Sequence, residues 1–314
     1  MKRLGMWVAL VLLFSGWASL PGLSQETNPT AGKDVKVTVT VERQGSKTPG
    51  TLHANDVLVY QTNQRRPVVQ WVPATGEHGG LDLAILIDNS LNPAIGSHYG
   101  ELKDFIRSLP AGSKVAVAYA AYGSAEMAQN FTSDKEQAIS ALRLPQGQLN
   151  QSASIFMALS DLVKHWPSDQ NRHVALVLSD GIDLYWGVTE ALPSNNPNLH
   201  RAIADAQRHG VNVYSIYAET RGRVHRNAFL VNTGQSCLSL LSLATGGKFY
   251  SQGLQTPIDF QPIFRQVETR LGNQYRLTFR AEQGKKDSYA PLHVTTEQPG
   301  IELVAPSRVY VPAK

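Results

Sequence analysis

Between residues 81 and 252 the chain alternates two hydrophobic periods, and this alternation restricts its fold more than any other feature. Apolar runs of strand length fall at 83–87, 115–122, 174–178, 211–217 and 248–250. Between them, Tyr99, Leu102, Ile106 and Leu109 recur at helical spacing. Ile155, Leu159, Leu162 and Val163 do the same, as do Leu199, Ala202, Ile203 and Ala206. Gly210 stands where a helix C-terminus favours a left-handed residue. Ser133 and Glu136 form a capping-box pattern ahead of a further helix reaching Leu142. Runs that are apolar at every position, rather than every second one, belong to strands buried on both faces. The predicted class is therefore α/β, with a mostly parallel, Rossmann-like sheet flanked by helices. On such sheets ligands bind beyond the carboxyl ends of the strands.

The flanks carry a different period. Val35, Val37, Val39 and Val41 alternate with polar residues, the pattern of a half-buried strand. Further strands are predicted at 57–60 and 68–72, which makes 34–76 a small N-terminal β module. After a helix at 260–271, segments 275–279, 292–296 and 304–311 read as strands of a C-terminal β extension. The α/β domain thus spans 80–272 and the extension 273–314. At the other end, Lys2 and Arg3 precede an apolar run at 7–14 that is broken by Ser15, Gly16 and Pro21. That is the layout of a signal peptide over 1–24, followed by a polar tether at 25–33. The run is shorter than the roughly 20 residues of a membrane span. The expected mature protein is exported, periplasmic or secreted, and has no transmembrane segment.

Composition removes several classes. A chain of 314 residues with 42% hydrophobic and 17% charged residues is globular, neither collagen-like nor disordered. One cysteine, Cys237, excludes an intrachain disulfide and a cysteine-based zinc site. Its place before an apolar helical stretch predicts a small core residue. The formal charge of +4 divides unevenly: 81–219 carry nine basic against fourteen acidic residues, and 220–314 carry twelve against six. The basic total therefore sums unlike parts and is no nucleic-acid signal. Arg221, Arg223, His225 and Arg226 read as a solvated loop. The histidines are scattered, none paired at metal-ligand spacing, and no complete phosphate-loop or serine-hydrolase motif occurs.

Two strand ends carry the chemistry. The run 83–87 leads into Asp88, Asn89, Ser90, Leu91 and Asn92, and the run 174–178 into Ser179, Asp180, Gly181, Ile182 and Asp183. Aspartates at the ends of central parallel strands converge in one crevice. With a serine hydroxyl they suit a hard divalent cation such as Mg²⁺, although aspartates also cap helices and shape turns. Tyr185 and Trp186, just beyond, are interface anchors or packing residues.

These residues resemble the von Willebrand factor A (VWA) family, in particular its exported members common in acidobacteria. In that family D-x-S-x-S after the first strand, a threonine from a second loop and an aspartate from a third form a metal-ion-dependent adhesion site. Asp88 and Ser90 match the first loop and Asp180 the third. The segments 35–41, 56–60 and 67–72, the turn from Leu243 to Lys248, and the strands 275–279 and 307–312 resemble the family's flanking parts. Two positions depart from the pattern: Asn92 replaces the second serine, and Ala153 replaces the threonine. Ser152 or Ser154 supplies an oxygen only in a shifted loop register.

The resemblance implies an exported, adhesion-like protein-interaction module with a degenerate metal site, and no enzymatic activity. Mg²⁺ or Mn²⁺ is the implied cofactor, with a metal-free module the default expectation. The implied partner is a protein offering an acidic side chain, not a nucleic acid. The competing readings are a metal-dependent hydrolase on the same sheet and a structural subunit of an envelope assembly.

Overall fold

The computed structural model describes residues 32–43, 52–147, 154–220 and 227–314. The leader, most of the tether, Ser152, Ala153 and the 221–226 loop lie outside these. Strand β1 (Lys33–Arg43) is followed by β2 (Val57–Gln61), β3 (Gln64–Arg66) and β4 (Val68–Pro73). Strand β5 (Leu81–Asp88) is buried at all eight positions, as its unbroken apolar character requires. Then come α1 (Tyr99–Ser108), β6 (Lys114–Ala121), β7 (Ser124–Thr132), α2 (Lys135–Ser140) and α3 (Ile155–Val163). Strand β8 (Arg172–Ser179), α4 (Pro197–His209), β9 (Val211–Tyr217), α5 (Ala228–Ala244) and β10 (Phe249–Tyr250) complete the alternation. Helix α6 (Gln261–Gly272) leads to β11 (Gln274–Ala281), β12 (Ser288–Thr296), β13 (Ile301–Val304) and β14 (Arg308–Val311).

The central sheet has the order β10-β9-β8-β5-β6-β7, parallel except for β7. Its two faces differ in residue size. Leu83, Ile85, Ile87, Val117, Leu176 and Ile216 face α1 and α6. Ala84, Ala116, Ala118 and Ala175 lie in the core of the other face, with residues of α3, α4 and α5. Small side chains there let the helices approach the sheet backbone.

The remaining strands form two four-stranded sheets, β13-β1-β11-β4 and β14-β12-β2-β3. Val39, Val59, Phe279, Leu292 and Val311 share one core between them. The N-terminal segment and the C-terminal extension are interleaved, since β1 pairs with β11 and β2 with β12. Trp71 anchors this core by donating to the Leu52 carbonyl at 3.0 Å and stacking on Tyr275 at 4.5 Å.

One strand is added to the expected elements and two local expectations are corrected. Strand β7 was not expected: Tyr122 and Gly123, both at positive φ (52° and 77°), form the tight turn that folds it back on β6. The cap of α2 is Asp134, which accepts from the N–H groups of Glu136 and Gln137, in place of Ser133. The segment 304–311 is not one strand, because Pro306 falls between β13 and β14.

Arg172, at the start of β8 and only 4% exposed, joins the two layers. Its Nη1 donates to the Leu271 carbonyl (2.8 Å) and Gln274 Oε1 (2.6 Å), and its Nη2 to the Gly79 carbonyl (3.1 Å). Burial pushes its pKa down to about 10. Arg172→Met leaves these acceptors unpaired and is expected to lower unfolding stability by about 3 kcal/mol, read by urea denaturation. A loss below about 0.5 kcal/mol would contradict the linking role.

Candidate functional site

Asp88 closes β5 and Asp180 follows β8, which pairs directly with β5. Asp88 Oδ1 accepts from the Ser90 N–H at 2.9 Å and the Ser90 hydroxyl at 2.6 Å. Its Oδ2 accepts from Ser179 Oγ at 2.8 Å, and Ser179 Oγ in turn accepts from the Gly181 N–H at 3.0 Å. Asp180 Oδ1 accepts from the Ile182 N–H at 2.9 Å. Both aspartates are buried. Burial holds Asp88 above the usual carboxylate range. Burial first, and then repulsion from Asp88, raise Asp180 to about 7.

Glycines let the third loop sit this deep. Gly181 has φ +69°, and a Cβ there would stand 2.4 Å from the Gly234 carbonyl of α5. A Cβ on Gly234 would stand 2.2 Å from the Asp180 carbonyl. Backbone therefore packs on backbone directly beneath Asp180. Gly234→Ala is expected to cost about 3 kcal/mol in thermal or chemical unfolding, because neither chain can yield by a rotamer change.

The other expected ligands are placed differently. Asn92 Oδ1 accepts from the Ala94 N–H at 3.1 Å, capping a single helical turn at Pro93–His98. Ser154 caps α3, accepting from the Met157 N–H, and donates to Asp183 Oδ2 at 2.8 Å. Asp183 also accepts from Asn198 at 2.9 Å, so it ties the start of α3 to the start of α4. Ser152 and Ala153 lie outside the described residues. Asp88, Ser90 and Asp180 are thus gathered at the strand ends, while Asn92 and Ser154 are engaged in caps. Ser179 was missed as a partner of Asp88, since a serine inside the strand run resembles any other core hydroxyl.

The gathered groups fit a hard cation. No cationic group figures among the causes that shift either aspartate, and their mutual repulsion is the charge pattern a divalent ion relieves. Asp88, Ser90 and Asp180 would supply oxygen ligands, leaving the other positions to water, as Mg²⁺ prefers. Cys237 belongs to the core: its Sγ lies 3.4 Å from the Ala191 carbonyl, and burial pushes the thiol up to about 12.

Around this site the same end of the sheet exposes Tyr122, Tyr185, Trp186 and Val188. Tyr185 and Trp186 meet edge to face at 5.0 Å. Among the described residues no helix is long and apolar enough to cross a membrane.

No protein-family model matches the chain, and no curated protein matches it in sequence. Solved structures to which the chain is similar include a von Willebrand factor type A protein from Catenulispora acidiphila, 12% identical, covering 92% of this chain and 75% of that one, with a TM-score of 0.44. An aerotolerance-related membrane protein from Bacteroides fragilis is 12% identical over 61% of this chain and 98% of its own, also at 0.44. The SpRpn10 VWA domain is 13% identical over 60% and 94%, at 0.39. Similarity at this level assigns neither a partner nor a ligand.

The aspartate pair sets a pH dependence. Folding raises both acids above the unfolded value near 3.8, so between about pH 4 and 7 the folded chain holds more protons than the unfolded one. The stability this contributes is complete below the unfolded value and is lost as pH rises through about 7. With chelator present, Asp180→Asn is expected to flatten this decline and to be about 2 kcal/mol more stable than the parent at pH 8. Unfolding curves from pH 4 to 9 decide it, and parallel profiles would refute the assignment.

Proposed function

We propose that this chain is an exported VWA-type interaction module that binds a protein partner at the carboxyl end of its central sheet and has no enzymatic activity. The observation that carries this reading is the buried, mutually repelling Asp88–Asp180 pair at the end of the sheet that also exposes Tyr185 and Trp186. Exposed aromatics around a fixed polar centre are the usual anatomy of a protein-binding patch. Tyr122 adds a third ring, exposed on a left-handed turn. The metal site is degenerate: Asp88, Ser90 and Asp180 offer three oxygen ligands, and Asn92 is engaged as a cap. When bound, Mg²⁺ or Mn²⁺ would supply an open coordination position for a partner carboxylate.

The hydrolase reading draws less support. The described hydrogen bonds of Asp88, Ser90 and Asp180 involve no histidine, and the one base beside the serine is the buried Asp88 carboxylate, which the Ser90 N–H and Ser179 also engage. Export rests on the leader pattern at 1–24, with its basic start and short apolar run.

The test joins metal and partner. Millimolar Mn²⁺ or Mg²⁺ is expected to raise the melting temperature by about 3–5 °C, and Asp88→Asn to abolish the rise. Trp186→Ala is expected to weaken capture of the partner from the envelope fraction at least tenfold without changing the melting temperature. Capture that survives both Trp186→Ala and Tyr185→Ala would move the interaction to another face.

A further inference from the structure

At the opposite end of the central sheet a second polar group is buried. Asp82 on β5 pairs in register with Lys114 on β6 and with His173 on β8, so the three side chains share one face. Asp169 joins them from the loop before β8. Asp82, Asp169 and His173 each offer a ligand atom, and these atoms lie within 4.8 Å of one another.

Two atoms there lack partners. Asp82 is 0% exposed; its Oδ1 accepts from Asn171 at 2.8 Å, its buried Oδ2 meets no N–H or hydroxyl donor, and the carboxyl can otherwise pair only by sharing a proton with Asp169. His173 Nδ1 lies 3.0 Å from the His209 carbonyl, which can only accept, so Nδ1 carries the proton. Burial keeps the ring neutral, which leaves a lone pair on Nε2, also buried and unpartnered. Unsatisfied buried atoms are costly, and two within one cluster call for a common partner. A histidine whose second nitrogen donates to a backbone carbonyl has the arrangement seen in metal sites, where that bond fixes the tautomer. Lys114 pairs with Asp169 at 2.6 Å yet leaves both orphaned atoms unmet. A cavity of about 170 Å³ beside the cluster is lined in part by Asp169 and His173.

We propose that Asp82, Asp169 and His173 form a binding site for a divalent first-row transition-metal ion, Zn²⁺ in the first instance, with water from the cavity completing the shell. Two carboxylates and an imidazole favour such an ion over Mg²⁺ or Ca²⁺, which prefer oxygen alone. Bonds of about 2.0–2.2 Å require the ligands to close in by about 1 Å, within reach of the Asp169 loop and a shift of Lys114. The site is separate from the strand-end pair and does not depend on the function proposed for it.

The full chain, stripped with chelator, is titrated with Zn²⁺ against a chromophoric competitor and with Co²⁺ by visible absorption. One equivalent of Zn²⁺ is expected to bind, with a Co²⁺ band indicating nitrogen ligation. His173→Gln and Asp169→Asn are expected to weaken Zn²⁺ at least tenfold, and His173→Gln to abolish the band. The Asp88→Asn, Asp180→Asn double variant is expected to retain both. Lys114→Met, which removes a competing charge, is expected to tighten binding. Circular dichroism confirms that each variant is folded. Absence of Zn²⁺ binding by the parent, wild-type affinity in His173→Gln, or loss of the equivalent in the double variant alone would each overturn the proposal.

Discussion

The buried guanidinium of Arg172 is the interaction on which the arrangement of this molecule depends. It carries charge into a site 4% exposed and is met by carbonyl and amide oxygens from the end of α6, the start of β11 and the turn entering β5. A planar group with five donors can hold three chain segments at once, which a lysine cannot. Arg172 also sets the pairing of β8 on β5, its backbone N–H meeting the Gly80 carbonyl at 2.9 Å. That register places His173 beside Asp82 at one end of the pair and Ser179 beside Asp88 at the other. A slip of one residue would turn each of these side chains to the opposite face.

Strand β5 then reads as an apolar rod with an acid at each end. Asp82 and Asp88 are six residues apart and on the same face as Ala84 and Leu86, which pack in the core shared with α3, α4 and α5. Both acids are pushed above the ordinary carboxylate range, chiefly by burial. Their surroundings separate them. Asp88 is met by two serine hydroxyls and a backbone N–H, whereas Asp82 faces an amide, the Lys114–Asp169 ion pair and the His173 imidazole. One strand thus holds two buried carboxylates in unlike surroundings.

Much of the α/β layer was legible in the chain because full burial leaves a plain trace: Leu83, Ile85 and Ile87 interleaved with Ala84 and Leu86 admit no solvent face. Gly210, in left-handed geometry with φ 66°, stands at the end of α4 where the pattern placed it. Strand β7 was not read from the chain, since its turn uses Tyr122 and Gly123 in place of the usual Asn-Gly pair and its inward positions, which alternate with exposed ones, are mostly only half-buried. Aspartates at strand ends signalled a crevice. Their spacing did not show that Asn92 and Ser154 would serve as caps, because capping competes for the same oxygens that ligate.

Local chemistry in the sequence determined the two hydrophobic periods, the breaks between elements and the two acids at the carboxyl ends of β5 and β8. Each follows from side chains acting over a few residues, so each can be read without the fold. Only the tertiary structure decided that β1 and β2 interleave with β11 and β12, that Gly181 meets Gly234, and that Asp82, Asp169 and His173 converge. Those contacts join residues from about 50 to more than 230 positions apart, or depend on strand register. Their partners are chosen by packing and by the pairing of buried polar groups, and no local pattern records that choice.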